Sequence, residues 1–184
     1  MKRKLAALLL ALILTLALPV AFAADSRIES VEYEGFGIVK IEFTQDCDWY
    51  ASSTITLTDA NGADVPFVFI GGEAEECYLR AESIANGAPY TLDFALEGTE
   101  QSVALRADTA AEFRLDANGE VKERARDEKC DLCGNRGHDD DFCPERVDAE
   151  NLPSDPEALA KLFDIDRCDR CGGMGHDDDR CPGK

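Results

Sequence analysis

Ile38-Val39-Lys40-Ile41-Glu42-Phe43 alternates apolar and polar residues over its second half, the period of a strand with one buried face. Working outward, similar short runs recur at 28–33, 37–43, 54–58, 65–70, 77–82, 90–96, 102–106 and 112–115. Turn residues separate them. Asp59-Ala60-Asn61-Gly62 joins residues that tolerate positive φ, and Asp116-Ala117-Asn118-Gly119 repeats that chemistry, so both read as hairpin turns. No helical period interrupts the segment. Short strands at regular spacing predict a mainly β chain, with a β-sandwich over residues 24–115.

Upstream, Lys2, Arg3 and Lys4 precede an apolar run over residues 5–18, broken by Pro19 and followed by Ala21-Phe22-Ala23. A basic start, an apolar middle and a small-x-small ending predict a signal peptide over 1–23, and the run is shorter than a spanning helix requires. The expectation is a secreted or cell-surface protein, with no membrane insertion after cleavage. Removing three basic residues makes the chain more acidic still than its formal charge of -19. A general basic field for nucleic acid is therefore excluded. In an oxidising compartment Cys47 and Cys77 are expected to pair as a disulfide.

The other six cysteines and both histidines form two arrays. The first is Cys130-x2-Cys133-x4-His138-x4-Cys143 and the second is Cys168-x2-Cys171-x4-His176-x4-Cys181. Residues 130–144 and 168–182 agree at 11 of 15 positions, an internal duplication. Two thiolates from a tight turn, then an imidazole and a third thiolate, supply the four donors of a closed tetrahedral Zn²⁺ site. Three disulfides would leave the matched histidines unexplained. Iron–sulfur clusters favour four cysteines, and neither array carries the Cys-x-x-Cys-His of covalent haem. Two bound Zn²⁺ ions are expected, with no open coordination position for hydrolysis. With both histidines committed and no acid/base pair singled out, the chain reads as non-enzymatic.

The remaining segments organise around the arrays. Residues 116–129 read as a charged linker, and 145–167 as a linker with a short helix. Asp155 is its predicted N-cap, Pro156 its first residue, and Leu159, Leu162 and Phe163 lie at helical spacing. The triplets Asp139-Asp140-Asp141 and Asp177-Asp178-Asp179 follow the histidines. They read as a solvated acidic face, with a Ca²⁺ site or a docking surface for a basic partner as sharper alternatives.

Two resemblances bear on these segments. Ile84-Ala85-Asn86-Gly87-Ala88-Pro89-Tyr90 resembles the tyrosine corner of immunoglobulin-like and fibronectin type III domains, and residues 37–41 and 54–62 resemble exported bacterial Ig-like modules. That implies an Ig-like sandwich acting as a spacer or adhesion module, although the Ig inter-sheet disulfide pattern is not matched. Both arrays resemble the CCHC zinc knuckle of retroviral nucleocapsid proteins. That resemblance implies single-stranded nucleic acid as ligand, held by basic residues and an aromatic platform; Asp131 and Asp169 stand where the family often carries the aromatic, and Phe142 and Met174 are the residues to truncate should binding survive high salt. The charges oppose it: in the first array Arg136 stands against Asp131 and the Asp triplet, and in the second Arg170 and Arg180 stand against Asp169 and its triplet. The expected function is an exported zinc-binding module that meets another protein. Nucleic-acid binding and zinc sequestration are the alternatives.

Overall fold

The computed structural model describes residues 27–96 and 98–183. The expected signal peptide lies outside them. Among the described residues nine strands form two antiparallel sheets. They are β1 (Ile28–Gly35), β2 (Ile38–Phe43), β3 (Ser53–Asp59), β4 (Val68–Gly71), β5 (Glu76–Arg80), β6 (Pro89–Leu96), β7 (Thr99–Arg106), β8 (Ala111–Leu115) and β9 (Val121–Ala125). One sheet runs β4-β5-β2-β1-β8-β9 and the other β3-β6-β7. The chain changes sheet after β2, β3, β5 and β7, so the sheets lie face to face and share one core.

Alternation explains which residues fill that core. Val39 and Ile41 lie opposite Leu79 and Cys77 across β2–β5, while Leu92 pairs with both Leu57 and Val103 across β3–β6–β7. All of these are buried in one cluster with Ile28, Val31, Phe94 and Leu105. Each fully buried side chain of this size contributes roughly 1.5–3 kcal/mol over its exposed state. Trp49 opens a four-residue helix, α1 (Trp49–Ser52), and is wholly buried, with its indole N–H donating to the Glu73 carbonyl at 2.6 Å. The tyrosine corner is formed: the Ala85 N–H donates to the Tyr90 hydroxyl at 2.8 Å.

Three expectations change here. Asp116–Gly119 does close a hairpin, and the strand it leads into is β9, so part of the expected linker 116–129 pairs in register along β8. β9 is an exposed edge strand whose Val-Lys-Glu-Arg-Ala sequence has no apolar face to reveal it. Asp59–Gly62 forms a tight turn, with Asp59 accepting from the N–H groups of Asn61 and Ala63. The chain folds back as expected, in a short antiparallel bridge between Thr58 and Asp64, but the full-length partner of β3 is β6, and β4 lies in the other sheet. Finally, Cys47 and Cys77 are not joined by a disulfide. Cys77 sits on the core face of β5, where burial pushes its thiol well above the ordinary range, and it packs as a small apolar side chain.

The C-terminal segment forms a third layer. Helix α2 (Pro156–Leu162) starts as predicted, with the Asp155 carboxylate accepting from the Ala158 N–H at 2.8 Å and Pro156 in its first turn. Ile38, Ile70 and Tyr78, on the outer side of the six-stranded sheet, form a second core with Phe142, Val147, Leu159, Phe163 and Ile165. Phe163 stacks on Phe142 with centroids 5.0 Å apart and meets Phe36 of the β1–β2 turn at 5.5 Å. Among the described residues no helix is long and apolar enough to cross a membrane.

Candidate metal centres

The structure brings together all eight predicted ligands, in two groups. Cys130, Cys133, His138 and Cys143 form one, and Cys168, Cys171, His176 and Cys181 the other. Within each, the four donor atoms lie within 4.8 Å of one another. Short local hydrogen bonds produce this. The Gly134 N–H donates to the Cys130 carbonyl at 2.8 Å, and the Cys130 N–H to the Asn135 carbonyl at 2.9 Å. The second array repeats both bonds, from Gly172 to Cys168 at 2.7 Å and from Cys168 to Gly173 at 3.0 Å. Each turn therefore points two sulfurs the same way.

The donor chemistry fits a tetrahedral thiophilic ion. In both groups the histidine Nε2 lies 3.3 Å from the Sγ of the second cysteine. Zinc bonds of about 2.3 Å to sulfur and about 2.0 Å to nitrogen at a tetrahedral angle would separate those atoms by about 3.5 Å. The His176 Nδ1 lies 3.1 Å from the Met174 carbonyl, so donating its proton there leaves the Nε2 lone pair for a metal. Backbone N–H groups also point at sulfur: Cys133 toward Cys130 at 3.5 Å, and Gly173 toward Cys171 at 3.3 Å. Burial pushes the Cys130 thiol up to about 12 and the Cys168 thiol up to about 11. Backbone donation at Asn135 lowers Cys133, and donation at Gly183 lowers Cys181. A bound divalent cation overrides the upward shifts, because it deprotonates a coordinating thiol outright.

The Asp triplets are built into these turns rather than forming only a solvated face. The Asp140 Oδ1 accepts from the Asp131 N–H at 2.6 Å, and Asp178 accepts from Asp169 at 2.8 Å. These equivalent bonds tie the two ends of each array together. Asp139 accepts from the N–H groups of Asp141 and Phe142. Asp177 instead reaches the sandwich, accepting from the Ala74 N–H at 3.1 Å.

Docking distinguishes the two arrays, and sequence reading missed its residues. Gly137 and Gly175 hold equivalent positions with φ of 90° and 77°. A Cβ at Gly137 would lie 2.9 Å from the Thr109 carbonyl oxygen, and one at Gly175 would lie 2.8 Å from the Tyr50 Cβ. Both arrays thus press bare backbone onto the sandwich, at different places. The first is anchored by Phe142, 4% exposed between Tyr78 and Phe163, and the second by Met174, 9% exposed in the main core. These side chains are packing anchors, and neither is presented for stacking on bases.

Arg126 fixes the approach to the first array. Its guanidinium is 2.8 Å from Glu34, 3.1 Å from Glu32 and 2.6 Å from Glu128. Arg126 and Glu34 are both buried. Burial pushes the Glu34 carboxyl up to about 7 against the pull of Arg126, with Glu32 and Asp139 adding to the rise. A charged residue in an apparent linker gave no sign of this role.

No protein-family model matches the chain. No curated protein matches it either. Among solved structures it is similar to the crystal structure of the Lin-41 filamin domain, at 14% identity and a TM-score of 0.29, over 49% of this chain and 89% of that one.

Proposed function

We propose that this is an exported, non-enzymatic zinc-binding protein that works as an extracellular or cell-surface protein-interaction module, with each array a zinc knuckle. The observation that carries the reading is the convergence of two complete Cys3His donor sets on one repeated hydrogen-bond scaffold. Four protein donors fill a tetrahedron, which favours structural metal over a site that activates water. Zinc then stabilises the tail layer, which has few apolar residues per residue of chain and draws folding free energy from ligation.

A protein partner with a basic surface fits the charge. Beside the second array, Glu29, Glu42, Glu73, Glu75, Glu76 and Asp177 line an open depression of about 400 Å³. Nucleic acid is disfavoured, since phosphates meet carboxylates there and the candidate stacking residues are buried. The test is native mass spectrometry of the full chain. Two zinc ions, lost singly in Cys130→Ser and Cys168→Ser variants, support the reading, and a metal-free protein with bridged tail cysteines overturns it.

A further inference from the structure

The arrays share a scaffold but not an environment. In the first, Cys130 and Cys143 are wholly buried, His138 is 7% exposed and Cys133 is half-buried. This group lies under the second core, with Phe142 next to its last ligand and the Arg126 network four residues before its first. In the second, Cys171 is exposed and His176 only partly covered. The Cys171 sulfur receives the Gly173 N–H, and the residue that carries it is exposed. The remaining grip on this array comes from its flanks: the Gly175 N–H donates to the Gly72 carbonyl at 3.0 Å, Asp177 holds Ala74, and Arg180 pairs with Asp46 at 2.5 Å.

The first two of those grips are made to the β4–β5 connection, residues 72–75. The same short segment supplies the Glu73 carbonyl that accepts from the Trp49 indole and the Ala74 carbonyl that accepts from the Cys47 N–H. Trp49 is the chain's single tryptophan. Its ring also contacts Tyr50 at 5.7 Å and Phe69 at 5.3 Å, and Tyr50 is the residue against which Gly175 is pressed. The second array is thus wired by backbone hydrogen bonds and packing to the single tryptophan.

We propose that the two centres are unequal: the 130–143 centre is permanent, whereas the 168–181 centre exchanges zinc with competing thiol or chelator ligands and transmits its loading to the 72–75 connection and Trp49. This rests on the zinc reading above. Cys171 is the ligand that departs first. A competing ligand forms its bond to the ion from the solvent side, the bond to the Cys171 sulfur breaks, and that thiolate takes a proton from solvent. In the first group the counterpart Cys133 is half-buried and the other three ligands are buried, so a competing ligand gains the ion there only with local unfolding of the layer above them.

The experiment uses the full-length zinc-loaded protein, mixed with a chromophoric pyridylazo chelator, with iodoacetamide labelling mapped by peptide mass spectrometry. One zinc equivalent should leave at least about tenfold faster than the other, as expected when release needs no opening of packed structure. Cys171, then Cys168 and Cys181, should label in that phase while Cys130 and Cys143 stay protected. Trp49 emission should change with the same rate constant. A Cys171→Ser variant should hold one zinc and lack the fast phase. Two zinc equivalents leaving in one phase, or the first array labelling first, would overturn the inequality while sparing the zinc reading. A fast phase without a Trp49 change would overturn the transmission. A protein that binds no zinc would sink both readings together.

Discussion

Replacing Phe163 with alanine asks whether the tail layer and the sandwich are one cooperative unit. Phe163 is 1% exposed and touches aromatic rings on both sides of the junction, Phe142 from the tail and Phe36 from the β1–β2 turn. Truncating a buried phenylalanine costs about 3–5 kcal/mol through lost transfer energy and the cavity left behind. The two ring contacts, worth about 0.5–1.5 kcal/mol each, put this site toward the upper part of that range. The assay is urea denaturation followed by Trp49 emission, with zinc held in excess. Trp49 lies in the sandwich core, far in sequence from the substitution, and Phe163 belongs to the other cluster. If the layers unfold together, a loss of about 4 kcal/mol with an m-value of about 2 kcal/mol per M moves the Trp49 midpoint down by about 2 M. An unmoved Trp49 transition, alongside easier zinc withdrawal, would refute the cooperative reading and make the sandwich an independent unit. Leu92→Ala, in the sandwich core, serves as the control that must move the Trp49 transition either way.

Other expectations follow from the same geometry. Glu34 has its folded-state pKa raised to about 7, so the folded protein binds a proton that the unfolded chain has already released; this group's contribution to stability is full below about pH 4.5, falls as pH rises toward 7 and is flat above it. Thermal melts of Glu34→Gln with zinc in excess should be flatter than wild type between about pH 5 and 7, and an unchanged slope would assign the dependence to another group. Arg126→Met leaves Glu34 and Glu32 buried beside the first array without their cation, and should cost about 3–5 kcal/mol in denaturant titrations; a loss under about 1 kcal/mol would show the network to be water-accessible. Gly175→Ala should loosen the second array far more than Gly172→Ala. Both need positive φ, at about 1 kcal/mol, but only position 175 also meets Tyr50, whereas a Cβ at 172 meets nothing within 4 Å. Equal Trp49 shifts in the two variants would remove the docking contact from the account.

Eight of the nine described strands, β1 to β8, were legible because each carries its own signal. Alternation in a strand such as β6 reflects the two faces it presents, and that pattern is local. The helix start at Asp155 and Pro156 was legible for a similar reason, since a cap acts within three residues. The candidate metal ligands needed only spacing and duplication, because the turns that gather them close within the array itself. The repeated Asp-Ala-Asn-Gly turn at 116–119 was a readable cue to β9 that the charge of the following residues obscured.

What lay beyond the sequence was decided by distant surfaces. Phe142 and Met174 have the composition of exposed binding residues in small knuckles, and their fate depended on whether an apolar surface waited for them. Ile38, Ile70 and Tyr78 supply one and the main core supplies the other, across separations of roughly a hundred residues that no local pattern encodes. Arg126 is likewise ambiguous alone, and becomes a buried anchor only because β8 and β9 carry it over Glu34. The ligand set of each centre is thus a property of its own fifteen residues. The burial that separates one centre from the other is a property of the sandwich beneath them, because exclusion of water takes atoms that only the folded chain brings together.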